Sequence, residues 1–218
     1  MRINIKGAII PSDYKHVYDF FDMESTSPKD IASALDAAGG QPVDVYINSG
    51  GGYVTAGNEI YTALSEYSGG VTIKIIYAAS AASVIAMAGH SLISPVGQMM
   101  IHNVYSSADG DYRAMRQASD RLDTACDALA TAYMRKTGKS REEIRAMMDA
   151  ETWVDARRAV ELGLVDEVMG GDLVASAESG LLPESVVQKT LAMFRDQNAA
   201  ELAQAKNDYE TLLKKELS

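Results

Sequence analysis

Cysteine is all but absent. The one thiol in 218 residues, Cys126, excludes an internal disulfide framework. It falls in the apolar-periodic segment Leu122, Ala125, Cys126, Leu129, the setting of a buried helical thiol rather than a catalytic one. No apolar run is long enough to span a membrane as a helix. Met1-Arg2-Ile3-Asn4-Ile5-Lys6 alternates like a strand and has neither the apolar centre nor the cleavage site of a secretory signal, so the expected location is the cytoplasm. Basic residues are outnumbered: 20 Lys and Arg against 30 Asp and Glu give a formal net charge of −10, which argues against nucleic acid and anionic membrane as partners. Histidine is scarce, three in all, and without an HExxH spacing the three make no metal set, so no metal and no cofactor is expected. Internal repeats and low-complexity tracts are missing as well.

What remains is a chain with 47% hydrophobic and 23% charged residues, enough to bury one proper core. Residues 3–10 and Val43–Ile47 read as strands, and Val71–Tyr77 as a strand covered on both faces. Ser27-Pro28-Lys29-Asp30 is a helix start, and the helix stops at Gly39-Gly40. The triple glycine after Ile47 is expected to open a helix through Gly57, Ile60, Tyr61 and Leu64, and Ala78–Gly89 a second, closely packed one. Leu92–Ile101 holds another strand or pair of strands. Tyr112–Thr137 is a long amphipathic helix ended by Gly138, and Ser140-Arg141-Glu142-Glu143 starts the next with a capping box. Strand and helix in alternation predict an α/β fold with right-handed crossovers. Gly170-Gly171 marks a boundary between a domain over residues 1–170 and a C-terminal extension over 171–218, where Val187, Leu191, Phe194, Leu202, Ala205, Tyr209 and Leu212 predict an amphipathic interaction helix.

Three short segments carry the chemistry. Ile47-Asn48-Ser49-Gly50-Gly51-Gly52 offers backbone donors, Ala78-Ala79-Ser80 a hydroxyl at a strand-to-helix turn, and Met100-Ile101-His102 an imidazole at a strand end. Oxyanion hole, nucleophile and general base are the parts of an acyl-transfer site. A glycine run can equally make a tight turn or cradle a phosphate, but the Lys-Ser/Thr ending of a P-loop and a dinucleotide spacing are both missing. Ser49 and Ser83 compete with Ser80 for the nucleophile. His102 is favoured over His16, read as a surface residue, and His90, read as a loop residue.

These residues also resemble a known family. Ile47–Gly57 is similar to the INSPGG-xxx-AG segment of the ClpP-like serine peptidases, Ala78-Ala79-Ser80 with Ala88-Gly89 to their AAS turn, and Met100-Ile101-His102 to their MIH histidine. Glu151-Thr152-Trp153 and Ala159–Asp166 resemble the closing acid and the AVEYGLVD run. The likeness covers roughly residues 1–170 and implies the ClpP/crotonase-like α/β superfold. It also implies Ser80 as nucleophile, His102 as base, an oxyanion hole from the N–H groups of Gly52 and Ala81, and an extended substrate backbone flanked by Gly50, Gly51, Asn103 and Val104. Three positions depart from the family: Gly50 replaces its proline, Ile76 a usual glycine, and Glu151 its aspartate, which leaves Asp149 as a rival acid.

The chain begins almost directly at the first strand, without the family's pore-lining segment that meets an ATPase, and this counts against an ATPase partner. The C-terminal extension has no equivalent in the family either. Both features resemble the phage and prophage head-maturation proteases, which implies a capsid or scaffold polypeptide as substrate, a ring-forming homo-oligomer, and a location in the host cytoplasm or prohead. Four other readings stand beside this: a conventional Clp subunit under an ATPase, a Ser/Lys signal-peptide peptidase, a crotonase-like acyl-CoA binder, and a catalytically silent scaffold.

Overall fold

Branched side chains build the sheet. Ile3 and Ile5 in Arg2–Ile9 (β1), Val43, Val45 and Ile47 in Val43–Gly52 (β3), Ile73 and Ile75 in Val71–Ala79 (β4), and Ile93 in His90–Ile101 (β5) are all buried. Such residues give up little rotamer freedom on a pleated surface and pack well between neighbours. In the computed structural model, which describes residues 1–170, these strands lie parallel in the order β1-β3-β4-β5. Ser25–Thr26 (β2) extends the sheet beyond β1, and on the far side Thr152–Asp155 (β6, antiparallel) and Glu167–Val168 (β7, parallel) pair with opposite ends of β5. The fold is α/β with a mostly parallel sheet.

The helices start and stop where local chemistry directs. Ser27 caps Pro28–Ala38 (α2) in a reciprocal bond with Asp30, and Gly39 ends it in a left-handed conformation, φ 56°. Asp111 caps Tyr112–Thr137 (α5) and Gly138 closes it, while Ser140 and Glu143 form the capping box of Arg141–Asp149 (α6). The remaining helices are Lys15–Phe20 (α1), Val54–Glu66 (α3), Ala81–Ile85 (α4, continued by a 3-10 turn at Ala86–Ala88) and Ala156–Glu161 (α7). Every residue of α4 is buried, and Gly57 of α3 lies so close that a Cβ there would stand 3.0 Å from that of Ala81.

Three boundaries differ from expectation. The triple glycine ends β3 rather than opening α3, because β1 extends far enough to pair Ala8 with Gly51 and Ile9 with Gly52. A Cβ on Gly52 would lie 2.1 Å from the Ile9 carbonyl oxygen, so only glycine lets the two backbones approach. Ala78 and Ala79 finish β4, and helix begins only past Ser80. His90, expected in a loop, is the first residue of β5.

In α5 the apolar face is covered only in part. No residue before Cys126 is buried and Met115 is 39% exposed, whereas Cys126, Leu129, Ala130, Ala132 and Tyr133 are buried. Among the described residues no helix is long and apolar enough to cross a membrane. The expected C-terminal amphipathic helix lies outside the described residues.

Candidate active site

Parallel strands deliver their following loops to one edge of a sheet, where open α/β folds bind ligands. Here the edge receives Gly50–Gly52 from β3, Ser80 from β4 and His102 from β5. Register aligns them: Ser49 pairs with Ala78, and Ala79 with Met100. The Ser80 N–H then donates to the Met100 carbonyl at 3.0 Å.

Ser80 turns sharply between strand and helix, with φ 56° and ψ −128°. A positive φ in a residue with a side chain costs about 1–3 kcal/mol and persists only where the surroundings enforce it. The enforcement comes from the Met100 carbonyl on one side and from the Ser83 N–H, which donates to the Ser80 carbonyl at 2.9 Å, on the other. The turn directs Oγ to 2.8 Å from Nε2 of His102. Both residues line a cleft of 520 Å³ together with Gly50, Gly52, Val54, Met100, Val104 and Ser106. Tyr53, 47% exposed, and Tyr105, 82% exposed, stand on its walls, and the lining carries no charged side chain apart from the imidazole if protonated.

The competing serines are engaged elsewhere. Ser49 donates to the Gly7 carbonyl at 2.6 Å and accepts the Gly51 N–H at 3.1 Å, so it stitches β3 to β1. Ser83 is wholly buried, with its hydroxyl between the Ser80 carbonyl and Tyr133. His16 is exposed on α1, and His90 approaches Asp166 and Glu167 at 3.3 and 3.4 Å.

The structure separates the expected substrate-flanking residues. Gly50 and Val104 line the cleft; Gly51 and Asn103 are outside its lining. The Gly51 N–H is taken by Ser49, and the Val104 N–H donates to Cys126 Sγ at 3.2 Å, so neither amide is open to a substrate backbone. Ala81 is the first residue of α4, where an N–H has no intrahelical acceptor, and Gly52 borders the cleft.

Neither expected acid reaches the imidazole: among the described residues no carboxylate hydrogen-bonds His102. Pairing of Ile101 with Thr152 brings Glu151 to the end of the β5–β6 ladder, but its backbone is left-handed, φ 47°, and its exposed carboxylate accepts from Trp153 Nε1 at 3.3 Å. Asp149, at the end of α6, accepts from Asn103 Nδ2 at 2.7 Å. Asn103 Oδ1 is buried without a partner among the described residues. Among those residues, too, no group of three or more His, Cys, Asp or Glu is placed to hold a metal ion.

Sequence reasoning missed the aromatic walls and Tyr133. Tyr53 directly follows the glycine run, which was a usable signal. Tyr133 gave none, because its contact with Ser83 spans 50 positions.

A family model described as Clp protease covers residues 28–172, more than half of the chain, and takes in the glycine strand, Ser80, His102 and both acids.

Proposed function

The chain belongs to the Clp protease family, and from that premise we propose that it is a serine endopeptidase in which Ser80 is the nucleophile and His102 the general base. The 2.8 Å contact between Oγ and Nε2 inside a cleft of 520 Å³ carries this reading. Ser80 Oγ attacks the scissile carbonyl while its proton passes to Nε2. The N–H groups of Ala81 and Gly52 receive the developing oxyanion. His102 then protonates the leaving amine, and water activated by the same imidazole releases the acyl group.

A base that accepts at Nε2 carries its own proton on Nδ1, and something must hold the ring in that tautomer. We assign this part to Asp149, which accepts from Asn103 beside His102, in preference to Glu151, which faces Trp153; among the described residues neither carboxylate bonds the ring. The uncharged, aromatic-walled cleft suits an extended chain with apolar side chains.

In the finer reading, the substrate is a phage capsid or scaffold polypeptide, the protein assembles as a ring-like homo-oligomer, and residues 1–170 form the protease domain. Residues 171–218 then form an interaction segment. Supporting this are the apolar periodicity after Gly171 and the partly uncovered face of α5. A conventional subunit feeding from an ATPase is the alternative.

The decisive experiment is labelling with a fluorophosphonate. Wild type should be modified at Ser80, while Ser80→Ala, still folded, should be neither labelled nor active on peptides. His102→Ala should lose roughly 10⁴-fold or more in rate, because members of such a unit do not act independently. Wild-type protein that is folded but inert would favour a crotonase-like or scaffold role. Labelling that moves to Ser83 would reassign the nucleophile.

A further inference from the structure

Ser83 and Tyr133 form a buried polar chain behind the nucleophile that the reaction as described does not use. Ser83 Oγ lies 2.7 Å from the Ser80 carbonyl oxygen and 2.8 Å from the Tyr133 hydroxyl. Directions follow from proton counting. A carbonyl only accepts, so the single hydroxyl proton of Ser83 goes to Ser80, and Tyr133 must be the donor to Ser83. Ser83 is 0% and Tyr133 1% exposed, which leaves no solvent to substitute for either bond. Burial also pushes the Tyr133 phenol well above its ordinary value, outweighing the bond to Ser83, so the donor keeps its proton throughout the working range.

The carbonyl held this way shares a peptide plane with the N–H of Ala81. That plane is rigid and trans, so its C=O and N–H point in opposite directions. Fixing one fixes the other. We propose that Tyr133 and Ser83 are positioning residues that aim the Ala81 N–H at the oxyanion by clamping the Ser80 carbonyl from behind. The inference rests on the reading of Ser80 as nucleophile. It assigns α5, a helix that contributes nothing to the cleft lining, a direct part in transition-state stabilisation. It also explains why a serine, rather than another alanine, stands third after Ser80 in an otherwise alanine-rich turn.

The test uses the full chain as wild type, Tyr133→Phe, Ser83→Ala and the double variant. Four quantities are measured: fluorophosphonate labelling rate with the modified residue mapped, kcat and KM on a peptide, and Tm. Misaiming a donor costs less than removing it, so Ser83→Ala should lower kcat and labelling rate about tenfold, and Tyr133→Phe by roughly threefold, with KM unchanged. The double variant should be no slower than Ser83→Ala, because both act through one bond. Tyr133→Phe keeps the ring and so tests the idea even if Ser83→Ala does not fold. Folded variants with a lower Tm but wild-type kcat and labelling rate would overturn the proposal, as would losses that multiply in the double variant. If mapping finds no modification at Ser80 in wild type, the nucleophile reading itself has failed, a result distinct from slow labelling in the variants alone.

Discussion

Asn103 donates its side-chain N–H to Asp149 at 2.7 Å, one residue beyond the imidazole that meets Ser80. The bond ties the end of β5 to the end of α6, just where β6 begins to pair with β5. Glu151, although nearer the ladder, is turned toward Trp153. An orienting group works by holding the ring of its histidine; among the described residues no carboxylate bonds that ring, and Asp149 is the acid tied to the residue next to it. Asp149→Ala and Asn103→Ala should each lower kcat by about tenfold to a hundredfold, and Glu151→Gln by less than about threefold. Peptide kinetics on the three variants decide this. The opposite ranking would return the acid role to Glu151, and three small losses would leave a Ser-His dyad.

Adjacent glycines at the end of β3 should differ sharply in tolerance. Gly51 has φ +96°, and a Cβ there would lie 2.7 Å from both the Ala79 carbonyl oxygen and Ser80 Cβ. Gly51→Ala therefore pushes directly on the nucleophile turn, and labelling of Ser80 should fall by at least about a hundredfold. Gly50 is open, its nearest neighbour being Tyr77 Cε1 at 3.9 Å. Gly50→Ala should keep the Tm of wild type and most of the labelling rate. Equal losses at both positions would mean that Gly50 has a part in substrate contact larger than its surroundings suggest.

Legibility in the sequence followed the range of the interaction. The cap at Ser27, the capping box at Ser140 and the stop at Gly138 are set by residues three or four apart, and α2, α5 and α6 were readable from them. Ser80 and His102 were readable because each closes a strand whose branched or apolar run is visible locally. The end of β3 was not, since whether glycines continue a strand depends on β1 offering Ala8 and Ile9 as partners some 43 positions away. The sequence placed Glu151 before Asp149 as the acid, an order it could not secure for the same reason: side-chain direction at 149 and 151 depends on Asn103 and Trp153, and residue spacing does not encode it.

Asp166 gives the fold a pH dependence away from the cleft. It accepts from Lys136, from the Ser91 N–H at 2.7 Å and from Ser91 Oγ at 3.1 Å, and so joins the end of α5 to the start of β5. Partial burial alone would raise its pKa, but Lys136 and Ser91 outweigh that and hold the carboxyl below its ordinary value. For a depressed carboxylate the contribution to stability is complete above the unfolded value, near pH 4, and vanishes as pH falls through the lower folded value. Asp166→Asn should thus lower Tm at pH 7, and the gap from wild type should close as pH drops below about 4. Its kcat should match wild type, since Asp166 is outside the cleft lining. A Tm gap that stays constant between pH 7 and 3 would show that the charge contributes nothing.

Truncation after Gly171 should separate chemistry from assembly. Among the described residues, those lining the cleft lie between Gly50 and Ser106, and residues 1–170 belong to one compact unit. The shortened chain should therefore fold and its Ser80 should react with fluorophosphonate at a rate within about threefold of the full chain. Association is another matter. Val187, Leu191, Phe194, Leu202 and Leu212 recur at a helical spacing and include residues too apolar to be left in water, so a surface on this chain, on a second copy or on a capsid-assembly partner is expected to take them. The first half of α5, with Met115 39% exposed, offers a second apolar surface of the same kind. Light scattering should show the truncated protein in smaller assemblies than the full chain, and Met115→Glu should shift the full chain the same way without slowing the labelling of Ser80. A truncated protein that assembles as before yet no longer reacts would place residues 171–218 in the active site, because loss of reactivity without loss of assembly leaves the cleft as the only thing the segment can have served.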